Sequence, residues 1–243
     1  MQEIEIKRNG KLYLSDGSIE LLKWLALILM TGDHINKYLL DYSNDILFNM
    51  GRLVLPIFVF VLAYNLTRKG IKEINYLKAI KRMILFGVLA SPAFIFLGGD
   101  IAIIVEGNTV IWRSLNVLFT LALLTWCLYS LERGENENIW LWVGWSSFWI
   151  VGAFVEFWWG ALGLGVSVWW YYKNISFTKI IPALFFSLFF LLAINEGSAY
   201  FLVAFLLIYL ISKFSFKIPR MKWFFYFYYP VHLTLIYAVK EFI

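Results

Sequence analysis

Apolar runs close to the length of a bilayer-crossing helix follow one another from residue 19 almost to the end of this chain, and they leave little room for any other fold. A transmembrane helix needs about 20 mostly apolar residues. Runs between charged or turn-rich breaks cover 19–40, 46–67, 77–97, 115–131, 139–155, 157–172, 178–194, 199–212 and 222–240. They predict an all-α, polytopic transmembrane helix bundle of about nine spans, or eight to ten if the short runs around Glu156 form re-entrant hairpins. Two units follow: an N-terminal arm, 1–18, and a single transmembrane domain, 19–243. Composition closes the other routes. With 61% hydrophobic and 15% charged residues, a soluble sphere of 243 residues would lack polar surface to cover itself, and a disordered chain needs the opposite balance. A single cysteine, Cys127, rules out a disulfide scaffold.

Lysine and arginine set the orientation, because basic residues collect in cytoplasmic loops. Lys7, Arg8 and Lys11 lie in the arm; Arg68, Lys69, Lys72, Lys78, Lys81 and Arg82 in the second loop; then Lys173 and Lys179, and Lys213, Lys217, Arg220 and Lys222. With nine spans all of these fall on one side, which predicts a cytoplasmic N-terminus and an outer C-terminus. The alternate loops carry Asp41 and Asp45, Asp100, Glu106 and Arg113, Glu156, and Glu196. The stretch 98–114 reads as a polar outer loop. The net charge of +5 is therefore topological, and the scattered basic residues form no nucleic-acid-binding domain. The N-terminus begins Met1-Gln2-Glu3 and its first apolar run starts too late for a cleavable signal.

In a bilayer the informative residues are the polar ones inside spans, since each costs a few kcal/mol and tends to face a pathway or site. The first span carries Thr31-Gly32-Asp33-His34 and Asn36. His34 sits roughly 7 Å beyond the middle of that span, and the Asp33 and His34 side chains diverge by about 100° around the helix. In the second span Arg52 and Pro56 share a face, and the proline frees a carbonyl near the arginine. Asn65 and Arg68 share a face at its cytoplasmic end, where Arg68, Lys69 and Lys72 form a receiver for phosphates. Asn116 opens the fourth span, Glu156 lies between two aromatic runs, and Tyr229 and His232 lie in the last span.

Each of these has a plainer role beside the functional one. His34 and His232 can be hydrogen-bonded packing residues, His232 at the Pro230 kink; Arg52 can be a counter-ion to Asp33; the basic residues after Asn65 can contact lipid headgroups. Gly160, Gly163 and Ser167 read as a small-residue packing face, and Cys127 as an inert buried thiol. Two histidines about 200 residues apart match no metal-ligand spacing. The residues alone therefore leave two chemistries open: a general base with an anion-binding entrance, and a proton-coupled transporter. Inverted repeats with broken helices, the mark of a transporter, are not found.

The segments 26–35 (Ala-Leu-Ile-Leu-Met-Thr-Gly-Asp-His-Ile), Gly51-Arg52 with Leu55-Pro56-Ile57-Phe58, Asn65-Leu66-Thr67-Arg68, Asn116-Val117-Leu118-Phe119 and His232-Leu233 together resemble the TraX family of bacterial membrane proteins. The resemblance is strong over 22–68, recognisable near 115–125, 156–170 and 224–236, and departs over 100–155. It implies an inner-membrane acetyltransferase that moves an acetyl group from cytosolic acetyl-CoA to the N-terminal amine of conjugative pilin. A surface glycan or lipid is the alternative acceptor. On this resemblance His34 is the general base or acetyl carrier, oriented by Asp33; Arg52 and Asn116 stabilise the oxyanion; Asn65, Arg68, Lys69 and Lys72 hold CoA phosphates. Glu156, Tyr229 and His232 fall on the acceptor side. Pilin, membrane lipids and a second copy of the chain are the expected partners, with no nucleic acid and no metal.

Overall fold

The computed structural model describes residues 10–105 and 108–242, without the side chains of 100–113. Lys7, Arg8 and Glu106, and the side chains of Asp100 and Arg113, lie outside the described residues.

Each of the nine apolar runs holds a helix. α1 (Asp16–Leu39) starts where the Ser15 hydroxyl accepts from the Ser18 N–H at 3.1 Å, a side-chain cap that satisfies one orphan donor. α2 (Asp45–Gly51) and α3 (Val54–Leu66) replace the predicted unbroken second span. Pro56 is the reason: it has no N–H to give the Arg52 carbonyl four residues back. The turn between the helices tightens instead, with Leu53 N–H on the Met50 carbonyl at 3.2 Å. Asn44 caps α2, and buried Asn36 binds both the N–H and the C=O of Asn44 at 3.0 Å, which locks α2 against the end of α1.

α4 (Glu73–Phe96) ends in a Schellman turn: Gly98 has φ +79°, its N–H reaches the Ile95 carbonyl at 3.0 Å, and Gly99 N–H reaches Phe94 at 2.9 Å. The polar stretch after it, read from the sequence as an outer loop, contains an antiparallel hairpin, β1 (Asp100–Val105) and β2 (Asn108–Arg113), with Val105 opposite Asn108. Ile101, Ile103, Ile104, Val105, Val110, Ile111 and Trp112 are β-favouring residues, and they outweigh the polar ones. α5 (Val117–Arg133), α6 (Ile139–Gly152), α7 (Trp158–Tyr172), α8 (Phe177–Ile194), a 3₁₀ turn (Tyr200–Leu202) with α9 (Val203–Ser212), and α10 (Phe224–Phe242) complete the chain.

α7 packs on α8, α3 and α5, and α10 packs on α4 and α1. The small-residue face is real: a Cβ on Gly163 would lie 2.4 Å from the Ser187 hydroxyl of α8. On the outside of α8, Phe177, Ile181, Phe185 and Phe189 repeat every four residues and are all exposed, the stripe of a helix facing lipid. Asp45–Leu66, Glu73–Phe96 and Phe177–Ile194 are long and apolar enough to cross a membrane; Ile139–Gly152 and Tyr200–Ser212 are apolar and shorter. The chain is a helical membrane protein. The described residues hold no cluster of metal-ligating side chains.

Candidate functional site: a histidine pair beside a basic cavity

The two histidines meet although 198 residues separate them: His34 Nδ1 of α1 lies 2.7 Å from His232 Nε2 of α10, with the rings 6° from parallel. His232 Nδ1 is 3.0 Å from the Tyr228 carbonyl one turn earlier, so its plainer role near Pro230 is also present. Tyr228 stacks on His232 and its hydroxyl lies 2.7 Å from the Thr31 hydroxyl, which donates to the Leu27 carbonyl. α1 and α10 are thus tied at two levels one turn apart.

Asp33 does not orient His34, contrary to the role the resemblance gave it. The divergence of the two side chains sends Asp33 to the other side, where its Oδ1 accepts from Arg52 Nη2 at 3.1 Å. The counter-ion role of Arg52 is therefore present. Arg52 also donates from Nε to the Phe48 carbonyl at 3.1 Å and from Nη1 to Asn195 Oδ1 at 3.2 Å, and its plane covers the Phe48 ring. Three of the five guanidinium N–H groups are thereby committed. Gly51 makes room for this, since a Cβ there would lie 2.3 Å from Asp33 Oδ1. Asn195, buried at the end of α8, is a site residue that sequence reasoning misses. It stands outside any motif, and only the fold brings it 143 positions back to Arg52.

Asp33, His34, Arg52, Glu156, Asn195 and Tyr229 line one cavity of about 60 Å³. Glu156 enters it from the turn before α7, where Phe157 and Trp158 both have left-handed backbones, φ +61° and +44°. Asn116, expected as an oxyanion donor, is placed elsewhere. Its Oδ1 caps α5 on the Leu118 N–H and its amide nitrogen donates to the Gly87 carbonyl at 2.9 Å and to Ser91 at 3.3 Å. Both amide hydrogens are spent on joining α4 to α5.

A second cavity, about 420 Å³, abuts the first; both are walled by Met30, Phe58, Val117 and Tyr229. Its far end holds Asn65, Arg68 and Lys69, but also Lys23, Lys78, Arg82, Arg220 and Lys222. Sequence counting treats the last four of these as topological loop charges; folding gathers them from α4 and the segment before α10. Lys72 is not in the wall and sits exposed at the start of α4. Arg68 pairs with Asp16 at 2.6 Å and Lys23 with Glu20, and Arg82 lies over the Trp223 ring at 4.8 Å. Among the described residues no carboxylate is paired with Lys78, Arg82, Arg220 or Lys222. Like charges on one wall repel, so the arrangement is suited to an anionic guest.

The sequence model of the family described as TraX protein matches residues 18–240. Protein TraX of Escherichia coli is 31% identical over 118 residues, 46% of this chain and 41% of that protein, so the matched region spans about two fifths of that relative's length. No solved structure matches the chain. With nearly its whole length matched, from α1 through α10, the chain belongs to the TraX family.

Proposed function

We propose that this chain is a multi-pass inner-membrane acetyltransferase that takes an acetyl group from acetyl-CoA on the cytoplasmic side and passes it to the N-terminal amine of pilin on the outer side. The observation that carries this reading is the junction of the two cavities, one mouthed by cations and the other lined by His34. Lys23 at the basic end and His34 lie on the same helix eleven residues apart, about 16 Å at 1.5 Å per residue. The pantetheine arm of CoA spans roughly 15–20 Å by bond counting. Phosphates held at the basic mouth therefore leave an acetyl carbonyl within reach of His34.

Nine crossings with a cytoplasmic N-terminus fit this arrangement, because they put the basic mouth inside the cell. Arg68, Lys69, Arg82, Arg220 and Lys222 hold the phosphates, and apolar Leu62, Leu66, Leu118 and Leu121 line the way inward. When bound, acetyl-CoA supplies a thioester carbonyl open to attack. His34 takes the proton from the acceptor amine as the new N–C bond forms and the C–S bond breaks, and the leaving thiolate then takes up a proton. The two uncommitted N–H groups of Arg52 stabilise negative charge on the carbonyl oxygen, while Asp33 and Asn195 hold the guanidinium in place. Glu156 and Tyr229 shape the acceptor side.

Incubation of the detergent-purified protein with radiolabelled acetyl-CoA and a peptide bearing the pilin N-terminus tests the reading. Transfer to the peptide amine by the native protein and its loss in His34→Ala are expected. Undiminished transfer in the mutant, or no acetyl-CoA binding by the native protein, overturns it. Mass spectrometry of pilin N-termini in cells lacking the protein tests the acceptor.

A further inference from the structure

We infer that His232 is a positioning residue that fixes His34 in the tautomer with its proton on Nδ1 and its lone pair on Nε2. The assignment follows from counting hydrogens along one chain of contacts. The Tyr228 carbonyl has only lone pairs, so His232 Nδ1, 3.0 Å away, carries a hydrogen. In a neutral ring the other nitrogen, Nε2, is then an acceptor. The 2.7 Å contact to His34 Nδ1 is consequently donated by His34, and His34 Nε2 is left bare. The opposite polarity would need His232 to be an imidazolium. That cation would be enclosed, with 4% of the residue exposed, and no carboxylate among the described residues forms an ion pair with it.

The hydroxyls of Tyr228 and Thr31 keep the pair in register, since Thr31 gives its hydrogen to the Leu27 carbonyl and so receives that of Tyr228. His232 lines neither cavity, whereas His34 lines the smaller one. It acts through His34 rather than on a substrate. A histidine thus occupies the place that a carboxylate commonly fills behind a catalytic imidazole, which releases Asp33 to hold Arg52.

The inference rests on the proposed use of His34 as a base, and the readout that decides it, the tautomer of His34, does not depend on activity. The chain has two histidines, so the ring nitrogens of a ¹⁵N-histidine-labelled sample give two resolvable sets of NMR signals, assigned with His232→Gln. The native protein at neutral pH is expected to show both rings neutral with hydrogens on Nδ1. In His232→Phe, which keeps an aromatic ring without an acceptor, His34 is expected to move toward the Nε2–H tautomer common in free histidine. Transfer activity should then fall about 100-fold in kcat with KM for acetyl-CoA unchanged, while His232→Gln, whose amide oxygen accepts from His34, recovers at least a tenth of the native rate. A native His34 with its hydrogen on Nε2, or a tautomer unchanged in His232→Phe, overturns the inference while leaving His34 as the base. Loss of activity in His34→Ala is a separate result that bears on the proposed function alone.

Discussion

The two adjoining cavities are built on opposite principles. Around His34 the space is small and, Glu156 apart, its polar groups are answered from within the site: Asp33 by Arg52, Arg52 by Asn195 and Phe48 as well, and His34 by His232. At the basic end the space is about seven times larger, from about 60 to about 420 Å³, and several cations have no carboxylate partner among the described residues. A network whose members satisfy one another holds its geometry without a ligand, as chemistry requires. A wall of like charges, several of them without a carboxylate partner among the described residues, becomes favourable when an anion arrives. The first region is therefore suited to transforming a group, and the second to holding the molecule that carries it.

Mutations should separate the regions. The largest effect is expected for His34→Ala, a fall in transfer rate of about 10³-fold with acetyl-CoA affinity retained; a parallel loss of affinity would merge the two regions into one. Arg52→Met leaves Asp33 without its partner and should lower stability in detergent by about 2 kcal/mol, less than for a fully enclosed pair because the side chains are 15% and 20% exposed. Thermal unfolding of Arg52→Met, Asp33→Asn and the double mutant checks it, and additive losses would show that the pair is not coupled. Arg82→Ala and Arg220→Ala should each raise KM for acetyl-CoA by about 10-fold at constant kcat, the worth of a charge-assisted phosphate contact. The effect should disappear with an acetyl-pantetheine donor that lacks phosphates. Asn116→Ala removes a cap and two bonds between α4 and α5, so about 1–2 kcal/mol of stability should go while the rate per folded molecule stays. Lys72→Ala, outside the cavity wall, should change KM less than about twofold.

Much of this is legible before folding, for identifiable reasons. The helices follow from hydropathy, because one apolar run of bilayer length has few alternatives to a helix. Asp33, His34 and Arg52 stand out because intramembrane charge is expensive. The split between α2 and α3 is foreshadowed by Pro56 but hidden by the unbroken apolar run around it. What escapes is the pairing beyond that of Arg52 with Asp33. The divergence of Asp33 and His34 by about 100° means that they need not bond each other, yet it does not name the partners, since His232 and Asn195 arrive from helices far along the chain. Asn116 misleads because an amide at a helix mouth looks alike whether it caps the helix or faces a cavity. Lys78, Arg82, Arg220 and Lys222 count toward orientation in the sequence, and only the packing of α10 on α4 and α1 shows them as one wall.

The central claim is that a molecule gripped at the basic mouth reaches residue 34, and mixed-disulfide trapping tests it most directly. In a protein carrying Cys127→Ala and His34→Cys, incubation with CoA disulfide should yield a one-CoA adduct on the thiol introduced at position 34, read by intact mass and peptide mapping. Acetyl-CoA should compete with adduct formation and Arg82→Ala should slow it. A CoA adduct that forms readily on Lys72→Cys in the same Cys127→Ala background, but never on His34→Cys, would contradict the shared path.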